Sequence, residues 1–300
     1  MGKYREMKER EARALEDMAV KKSLWKDVLA RFLKNKSGIV GFIIVFVMIL
    51  LIIFAPLLTK YDYAKQSFPE RFLYPSAQHI FGTDNFGRDL FTRMLYGGRI
   101  SFMIAVIATV ISAFLGTLLG SAAGYFGGTV DMIISRFLDI MMAIPGLLLA
   151  ITIASVLGNG PINTAFALSI GGIAMSARII RANVMAIKAS EYVEAAKATG
   201  SKNFRIILVH ILPNTFAPLL INATMSIGGS IMGIAGLSFI GLGVKPPTPE
   251  WGSILNVGRD YLREFWPLTV FPALFIALTI FGFNLFGDAL RDALDPRLKN

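Results

Sequence analysis

The sequence predicts an all-α integral membrane protein with six membrane-spanning helices, preceded by an amphipathic helix at the membrane surface. Hydrophobic residues make up 54% of the 300-residue chain and charged residues only 17%, and the mean hydropathy is +0.60. A water-soluble chain of this composition would expose large apolar patches and aggregate. The charges also cluster in a few segments and leave long uncharged runs, which is typical of a chain that crosses the bilayer repeatedly.

The N-terminal segment, residues 1–37, is polar and rich in Lys and Arg. Within it, apolar side chains recur at helical spacing from Leu24 to Leu33, with basic residues between and after them. This pattern predicts a basic amphipathic helix in the membrane interface, the alternative being a solvated helix packed on a partner. The apolar run after it is too long for a cleaved signal peptide and has no small-residue cleavage site. The remainder, residues 38–300, forms the predicted transmembrane domain.

Six apolar segments are long enough to approach the roughly 20 residues that a membrane helix needs. They lie at about 38–58, 101–125, 136–158, 162–180, 214–240 and 266–287. The first carries no charge and is the clearest. Asn222 and Asn284 lie within the last two segments, and Asp139 lies near the start of the third. Such groups are costly in lipid, so they either line a solute pathway or form hydrogen bonds between helices.

The orientation follows from the distribution of Lys and Arg. These residues concentrate in 1–37, in 178–205 and in 291–299, which all lie on one side if the chain crosses six times. We expect that side, with both termini, to be cytoplasmic, and the long connection 59–100 to be external. Arg88 and Asp89 in that connection suggest a folded, charge-paired loop.

The sequence carries no pattern of an enzyme. There is no cysteine, and the two histidines, His79 and His210, fall on opposite sides of the predicted membrane, so no metal site is expected. Neither HExxH nor GxSxG occurs, and the run Gly200-Ser201-Lys202 does not complete a Walker A loop. We therefore expect no catalytic residue and no cofactor on this chain. The net charge of +10 comes from terminal and loop residues without interleaved aromatics, which argues against nucleic acid as a partner.

The cytoplasmic connection 188–213 reads as two short helices joined at Gly200. Ser190 is a plausible N-cap, and Glu191 and Glu194 favour the first turn. Gly200 is a natural stop, after which a second helix runs toward Pro213. Such a pair forms a rigid projecting knob, and the alternative is a plain amphipathic connection at the membrane surface.

Resemblance to a known family favours the first alternative, the projecting knob. The run Glu194-Ala195-Ala196, then Gly200, then Leu212-Pro213 resembles the EAA loop of ABC importer permeases, in which it is the coupling helix that docks on an ATPase subunit. The general pattern has Ile where this chain has His210, but His210-Ile211-Leu212-Pro213-Asn214 is similar to the peptide-permease branch. A polar residue at the membrane boundary remains the simpler interpretation of His210.

Two further stretches are similar to the C-type dipeptide and oligopeptide permeases. One runs from His79 to Ser101 and the other from Leu237 to Gly252, and the tail from Asp288 to Arg297 also fits. Within the first, the polar motif comprises Gly82, Thr83, Asp84, Gly87, Arg88 and Asp89. Glycine permits tight turns and the charged groups can pair, so a scaffold role is the preferred interpretation of this motif.

The resemblance implies the type I permease fold of ABC importers and a division of labour. This chain would pair with a second, related permease around a shared pathway. Two ATPase subunits, which hold ATP and Mg, would sit beneath, and an external solute-binding protein would deliver di- or oligopeptides. Because other members of this branch carry nickel, glutathione or oligosaccharides, the resemblance does not fix which solute this importer carries. An ion-coupled secondary transporter is the alternative mechanism, but no internal repeat is evident and Asp139 is the one candidate intramembrane carboxylate.

Overall fold

The structure is a computed structural model that describes residues 24–294, and this part of the chain is almost entirely helical. The helices are α1 (Leu24–Lys34), α2 (Lys36–Ile53), α3 (Ala55–Leu58), α4 (Leu90–Phe126), α5 (Gly128–Ala143), α6 (Gly146–Leu157), α7 (Pro161–Lys188), α8 (Glu191–Ala198), α9 (Asn203–Phe239), α10 (Trp251–Asp260) and α11 (Pro267–Leu294). A single 3₁₀ turn, Phe68–Glu70, lies in the connection between α3 and α4. The prediction of an all-α membrane fold is confirmed.

Five helices, α2, α4, α7, α9 and α11, are long and apolar enough to cross a membrane alone. The third predicted segment, 136–158, is not one straight helix. It lies in α5 and α6, which are bent by 89° at a break next to Pro145. Proline has no N–H and disfavours helix in the residue before it, which accounts for the break at this position.

The packing of α4 on α7 shows that the bent pair crosses the membrane. Gly116 of α4 lies against Ser176, and Gly124, two turns later, lies against Val184. The contact positions advance by eight residues along both helices, which means that α4 and α7 run parallel. The intervening α5 and α6 must therefore return to the side where α4 entered, which gives six crossings in total.

The remaining helices pack antiparallel, which places their ends on two sides. Gly38 at the start of α2 meets Ala289 near the end of α11, and Asn222 of α9 bonds to Ser176 of α7. The start of α2 and the ends of α4, α7 and α11 consequently share one side, here called the basic side because the Lys- and Arg-rich segment 178–205 lies there. The opposite side carries the connections 54–89 and 240–266, here called the outer layer.

Helix α4 begins at Leu90, not near residue 101 as predicted, because its first three turns belong to the outer layer. Asp89 caps the helix by accepting a hydrogen bond from the Thr92 N–H at 2.7 Å. Arg93 in the first turn donates to the carbonyls of Tyr63 and Pro247, at 2.9 and 3.3 Å. Because of these charged residues, the sequence predicts a loop where the first turns of α4 lie. In the structure the same residues bond the helix to the connections around it.

Helix α1 lies beside the basic-side ends of α2 and α11. Phe32 packs edge-on against Phe42 and Phe286, with ring centroids 6.3 and 5.6 Å away. Leu29 and Leu33 remain exposed, as an apolar stripe at a bilayer surface requires. The part of the predicted N-terminal segment before residue 24, and the tail after 294, lie outside the described residues.

Candidate functional site: coupling surface and membrane groove

The connection 188–213 forms a knob on the basic side. Helix α8 rests on the ends of the membrane helices through Val193 and Ala196, which are buried against Ile180, Val184 and Ile206. The Tyr125 hydroxyl at the end of α4 donates to Asn203 at 2.8 Å. The knob is thus anchored to two membrane helices, and its position follows theirs.

Gly200 ends α8 as the sequence predicts. Its φ is +79°, and its N–H donates to the Lys197 carbonyl at 2.9 Å while the Ser201 N–H donates to the Ala196 carbonyl at 3.1 Å. These two bonds form a Schellman motif, in which a left-handed residue, usually glycine, satisfies the last carbonyls of a helix. The sharp turn directs the chain from α8 into α9.

The outward face of the knob is unpartnered within the described residues. Glu194 is exposed, and its carboxylate has no partner in this part of the chain. Beside it lies an open concavity of about 710 Å³. It is lined by Tyr192, Ala195, Ala196, Thr199, Gly200, Ser201, Lys202, Arg205 and His210. Ala195, Ala196 and Gly200 were predicted here, and their small size leaves the concavity open to a second surface.

Leu212 and Pro213 do not line this concavity. The predicted second short helix does not end at Pro213 but continues as α9, with π turns over Ile206–Ile211 and a 3₁₀ turn over Leu212–Thr215. Proline lacks the N–H that a regular helix would use, and irregular turns often accompany that loss. The knob is therefore continuous with the fifth membrane crossing.

A groove runs between the antiparallel helices α7 and α9. It comprises a basic-side concavity of about 880 Å³ and a deeper one of about 320 Å³, and Ser226 lines both. On α9 the lining extends from Asn214 to Gly233, which at about 1.5 Å per residue spans roughly 28 Å. That length is close to the thickness of the hydrocarbon core, about 30 Å.

The groove lining combines apolar side chains with hydroxyl and amide groups and is almost uncharged. Its hydroxyl and amide residues are Thr109, Ser112, Asn183, Asn214, Asn222, Ser226 and Ser230. Arg291, at the basic-side mouth, is the one charged side chain among the lining residues that the structure describes. A surface of this kind is unsuited to lipid, because hydrocarbon leaves amide and hydroxyl groups unsatisfied.

The two asparagines predicted from the sequence differ in position. Asn222 lines the groove and donates to the Ser176 hydroxyl of α7 at 3.1 Å, so it forms a hydrogen bond between helices; its place on a solute pathway stays a prediction. Asn284 is exposed on α11 beside Gly228 and does not line the groove. Asp139 pairs with Arg178 at 2.5 Å and is likewise not a lining residue.

The polar motif of the outer layer is internally bonded. Asp84 accepts from the backbone of Phe86 and Arg88 and pairs with the side chains of Arg88 at 2.6 Å and Arg93 at 3.3 Å. Thr83 donates to the Glu70 carbonyl and accepts from the Leu73 N–H. These groups are buried and mutually satisfied, which supports a scaffold role.

Two glycines and a histidine complete this motif. Gly82 and Gly87 have φ of +83° and +73°, and a Cβ at Gly87 would lie 1.8 Å from the Ser67 carbonyl oxygen. Buried His79 contacts Asp89 at 2.9 Å through Nδ1, so both oxygens of that capping carboxylate are used.

Glu250 is a further buried carboxylate that the sequence did not single out. It caps α10 by accepting from the N–H groups of Gly252 and Ser253, at 2.8 and 2.9 Å, and it also accepts from the Ser101 hydroxyl of α4 at 2.9 Å. Burial raises the pKa of this carboxyl above its ordinary value, while its hydrogen bonds oppose that shift.

Sequence reasoning also missed Tyr125, Tyr192 and Asn183. Tyr125 reaches the knob from a distant helix, which no local pattern reveals. Asn183 was assigned to a connection because α7 runs eight residues beyond the predicted end of the fourth span. The spacing Met175, Ile179, Asn183, Ile187 is an i, i+4 series that marks one helical face and was a usable signal.

Comparisons with known proteins agree with this architecture. Residues 116–300 match the family of binding-protein-dependent transport system inner membrane components, and residues 23–75 match the N-terminal TM domain of oligopeptide transport permease C. A solved inward-facing structure of the MetNI methionine ABC transporter superposes with a TM-score of 0.50 at 18% identity, over 68% of this chain and 94% of its own. At that identity it shows the fold alone.

Several curated relatives match along nearly the whole chain. The dipeptide transport system permease protein DppC of Alkalihalophilus pseudofirmus is 45% identical over 95% of this chain and 94% of its own. The oligopeptide transport system permease protein OppC of Bacillus subtilis is 42% identical over 92% and 91%. The glutathione transport system permease protein GsiD of Escherichia coli is 43% identical over the same shares. The chain therefore belongs to the binding-protein-dependent inner membrane transport components, in the branch of the C-type dipeptide and oligopeptide permeases.

Proposed function

We propose that this chain is the permease subunit of an ATP-driven importer that carries di- and oligopeptides across the cell membrane. The observation that carries the proposal is the match, at 40–45% identity over at least nine tenths of the chain, to permeases of dipeptide and oligopeptide transport systems. In the proposed assembly a second, related permease faces the groove and closes it into a pathway. An external binding protein delivers the solute to the outer layer.

In this proposal the energy comes from two ATPase subunits that bind ATP and Mg and dock on the knob. The free Glu194 carboxylate and the concavity beside it are the contact surface. Because the knob rests on the ends of α4 and α7 and continues into α9, a movement of the docked ATPase reaches the groove directly. The knob, the basic side and both termini are cytoplasmic in this proposal.

A polar pathway suits such a solute for a physical reason. Each backbone N–H or C=O of a peptide costs several kcal/mol when it is unsatisfied in hydrocarbon. The uncharged amides and hydroxyls of the groove offer partners without attracting one charge type. Glutathione, itself a small peptide, is a second candidate substrate, favoured by the similarity to a glutathione permease.

The test is transport by the complete reconstituted importer carrying Glu194→Lys. We expect uptake of every peptide to fall by the same factor and binding of the ATPase subunits to weaken, because docking does not depend on the cargo. Glu191→Lys in the same helical turn is the control for helix fraying, since it disturbs the helix dipole equally. Loss of some peptides with normal transport of others would place Glu194 in the pathway and contradict the assignment.

A further inference from the structure

The side-chain amides of two groove residues have a fixed orientation. Asn183 donates its Nδ2 to the Ile179 carbonyl at 2.7 Å, and Asn214 donates its Nδ2 to the His210 carbonyl at 2.7 Å. A backbone carbonyl can only accept a hydrogen bond, so the nitrogen of each amide must face it. The Oδ1 atoms consequently point away from these carbonyls, and no donor in the described residues bonds to them.

A third asparagine repeats the arrangement deeper in the groove. Asn222 uses its Nδ2 on the Ser176 hydroxyl at 3.1 Å, which again leaves Oδ1 without a donor in the part of the chain described. The antiparallel packing sets Asn183 level with Asn214, on opposite walls. Asn222 lies eight residues further along α9, about 12 Å away, a distance that three or four residues of an extended peptide cover.

The other groups that line the basic-side concavity do not offer an acceptor alone. Met175, Ile179, Ile221 and Met225 are apolar, and the hydroxyl of Ser226 can donate or accept. Arg291 at the mouth offers donors alone. The three amide oxygens thus form a series of acceptors along the groove, here called the acceptor track.

We propose that the acceptor track recognises the backbone N–H groups of an extended peptide, whatever its side chains. The inference rests on the proposed function and adds how the same pathway recognises its solute. Amide oxygens accept from any peptide N–H, whereas the apolar residues between them tolerate varied side chains. A solute that keeps the shape of a peptide but lacks N–H donors leaves the track unpaired, and unpaired groups in a closed pathway are unfavourable.

The experiment compares uptake of trialanine with that of its depsipeptide analogue, in which esters replace both amides. The full importer is reconstituted with its binding protein, and the rate ratio of amide to ester is measured for each variant. The binding protein's own preference contributes equally to every ratio and cancels between variants. We expect Asn183→Leu and Asn222→Leu each to lower the ratio about fivefold, the equivalent of one ordinary hydrogen bond.

Matched controls separate recognition from damage to the fold. Asn222→Asp keeps an acceptor oxygen and should keep most of the preference. Asn163→Leu removes an asparagine of α7, the helix that carries Asn183, and its Nδ2 bonds to the Leu157 carbonyl outside the groove, so its ratio should equal that of the wild type. Arg291→Gln should change uptake of amide and ester alike.

Two outcomes overturn different claims. If the wild type imports peptides but both leucine variants keep the full amide preference, the acceptor track does not read the cargo. If the wild-type complex imports no peptide at all, the proposed function fails first. A leucine variant that does not assemble is replaced by the corresponding Asn→Ala variant, for which the same lowered ratio is expected.

Discussion

At the residue scale, Gly200 shows how one backbone conformation positions the knob. Its φ of +79° lies in the left-handed region, and a Cβ added there would meet no atom within 4 Å. A substitution therefore acts through backbone conformation and not through a clash. For an L-residue other than Asn or Asp this conformation costs about 1–2 kcal/mol.

We expect Gly200→Val to leave the chain inserted in the membrane but to weaken binding of the ATPase subunits, because the turn from α8 into α9 opens. Co-purification of the ATPases and solute-stimulated hydrolysis measure the effect. Gly200→Asn is the matched control, since asparagine tolerates the left-handed region, and it should retain most of the binding. Wild-type behaviour of the valine variant would show that this turn does not position a docking surface.

Glu250 joins the outer layer to α4, and its protonation gives a pH prediction. Burial raises the pKa of the folded-state carboxyl above the ordinary value of 4.5, so the folded state binds the proton more tightly. Its stabilising contribution is then fully present below the unfolded-state pKa and is lost as pH rises through the raised folded-state pKa. Glutamine resembles the protonated carboxyl at every pH, so we expect the Tm of the wild type to fall relative to that of Glu250→Gln as pH rises, in thermal unfolding of the purified protein. A wild-type Tm that rises relative to that of the variant as pH rises would contradict the shift.

Some of these residues could be predicted from sequence and others could not. Gly200 could, because a helix end is a local event with its own residue signature, whereas Asp89 was predicted as part of a polar motif and not as a helix cap. The continuation of the helix through Leu212 and Pro213 was harder to predict. A proline indicates a helix boundary, but the sequence does not show whether the helix ends there or continues through irregular turns. Tyr125 and Glu250 act across more than 75 residues of sequence, so no local pattern indicates them.

At the scale of elements, α5 is held to α7 by two ion pairs. Arg181 binds Asp131 through two nitrogens, at 2.5 and 2.6 Å, and Arg178 contacts Asp139 at 2.5 Å. The apolar contact between the two helices is centred on Leu138. Charge pairing therefore positions the first half of a crossing that is broken at Pro145.

The boundaries of elements were predictable only where hydropathy and helix coincide. Helix α2 lies largely within the predicted first span because it carries no charged side chain after Lys36. Helix α4 extends into the outer layer and α7 into the knob, where charged residues sit on regular helix and hydropathy no longer marks the ends. The break in the third crossing was signalled by Pro145 and Gly146, but its angle depends on packing against α7 and α9.

We expect charge reversal to expose the role of the stronger ion pair. Asp131→Arg and Arg181→Asp should each lower the free energy of unfolding by about 1.5–3 kcal/mol, the value of hydrogen bonds to charged groups. The double reversal should recover part of that loss, because the pair is restored with its sign exchanged. Thermal unfolding in detergent measures all three variants, and a double variant less stable than both single ones would argue against direct pairing.

At the scale of the whole molecule, two rigid ends enclose the groove. The outer layer is held by buried ion pairs around Asp84 and by Glu250, and the knob is held by the apolar cluster around Ile206. Helix α9 connects the knob directly to the groove. In the proposed importer, movement of a docked ATPase subunit would reach the groove through α9.

The two faces must lie on opposite sides of the membrane, which labelling can test. Lys197 on the knob and Lys245 in the outer layer are both exposed lysines, and the chain contains no cysteine. In intact cells, Lys245→Cys should react with an impermeant thiol reagent added outside, because the outer layer is external in the proposed orientation. Lys197→Cys should react only after the membrane is permeabilised, since the Lys- and Arg-rich side remains in the cytoplasm. The two substitutions remove the same charge, so unequal labelling reports accessibility alone. Labelling of both positions from outside would mean that α9 does not cross the membrane between them, which would contradict the six-crossing arrangement. Labelling of Lys197→Cys alone would invert the orientation while keeping the fold.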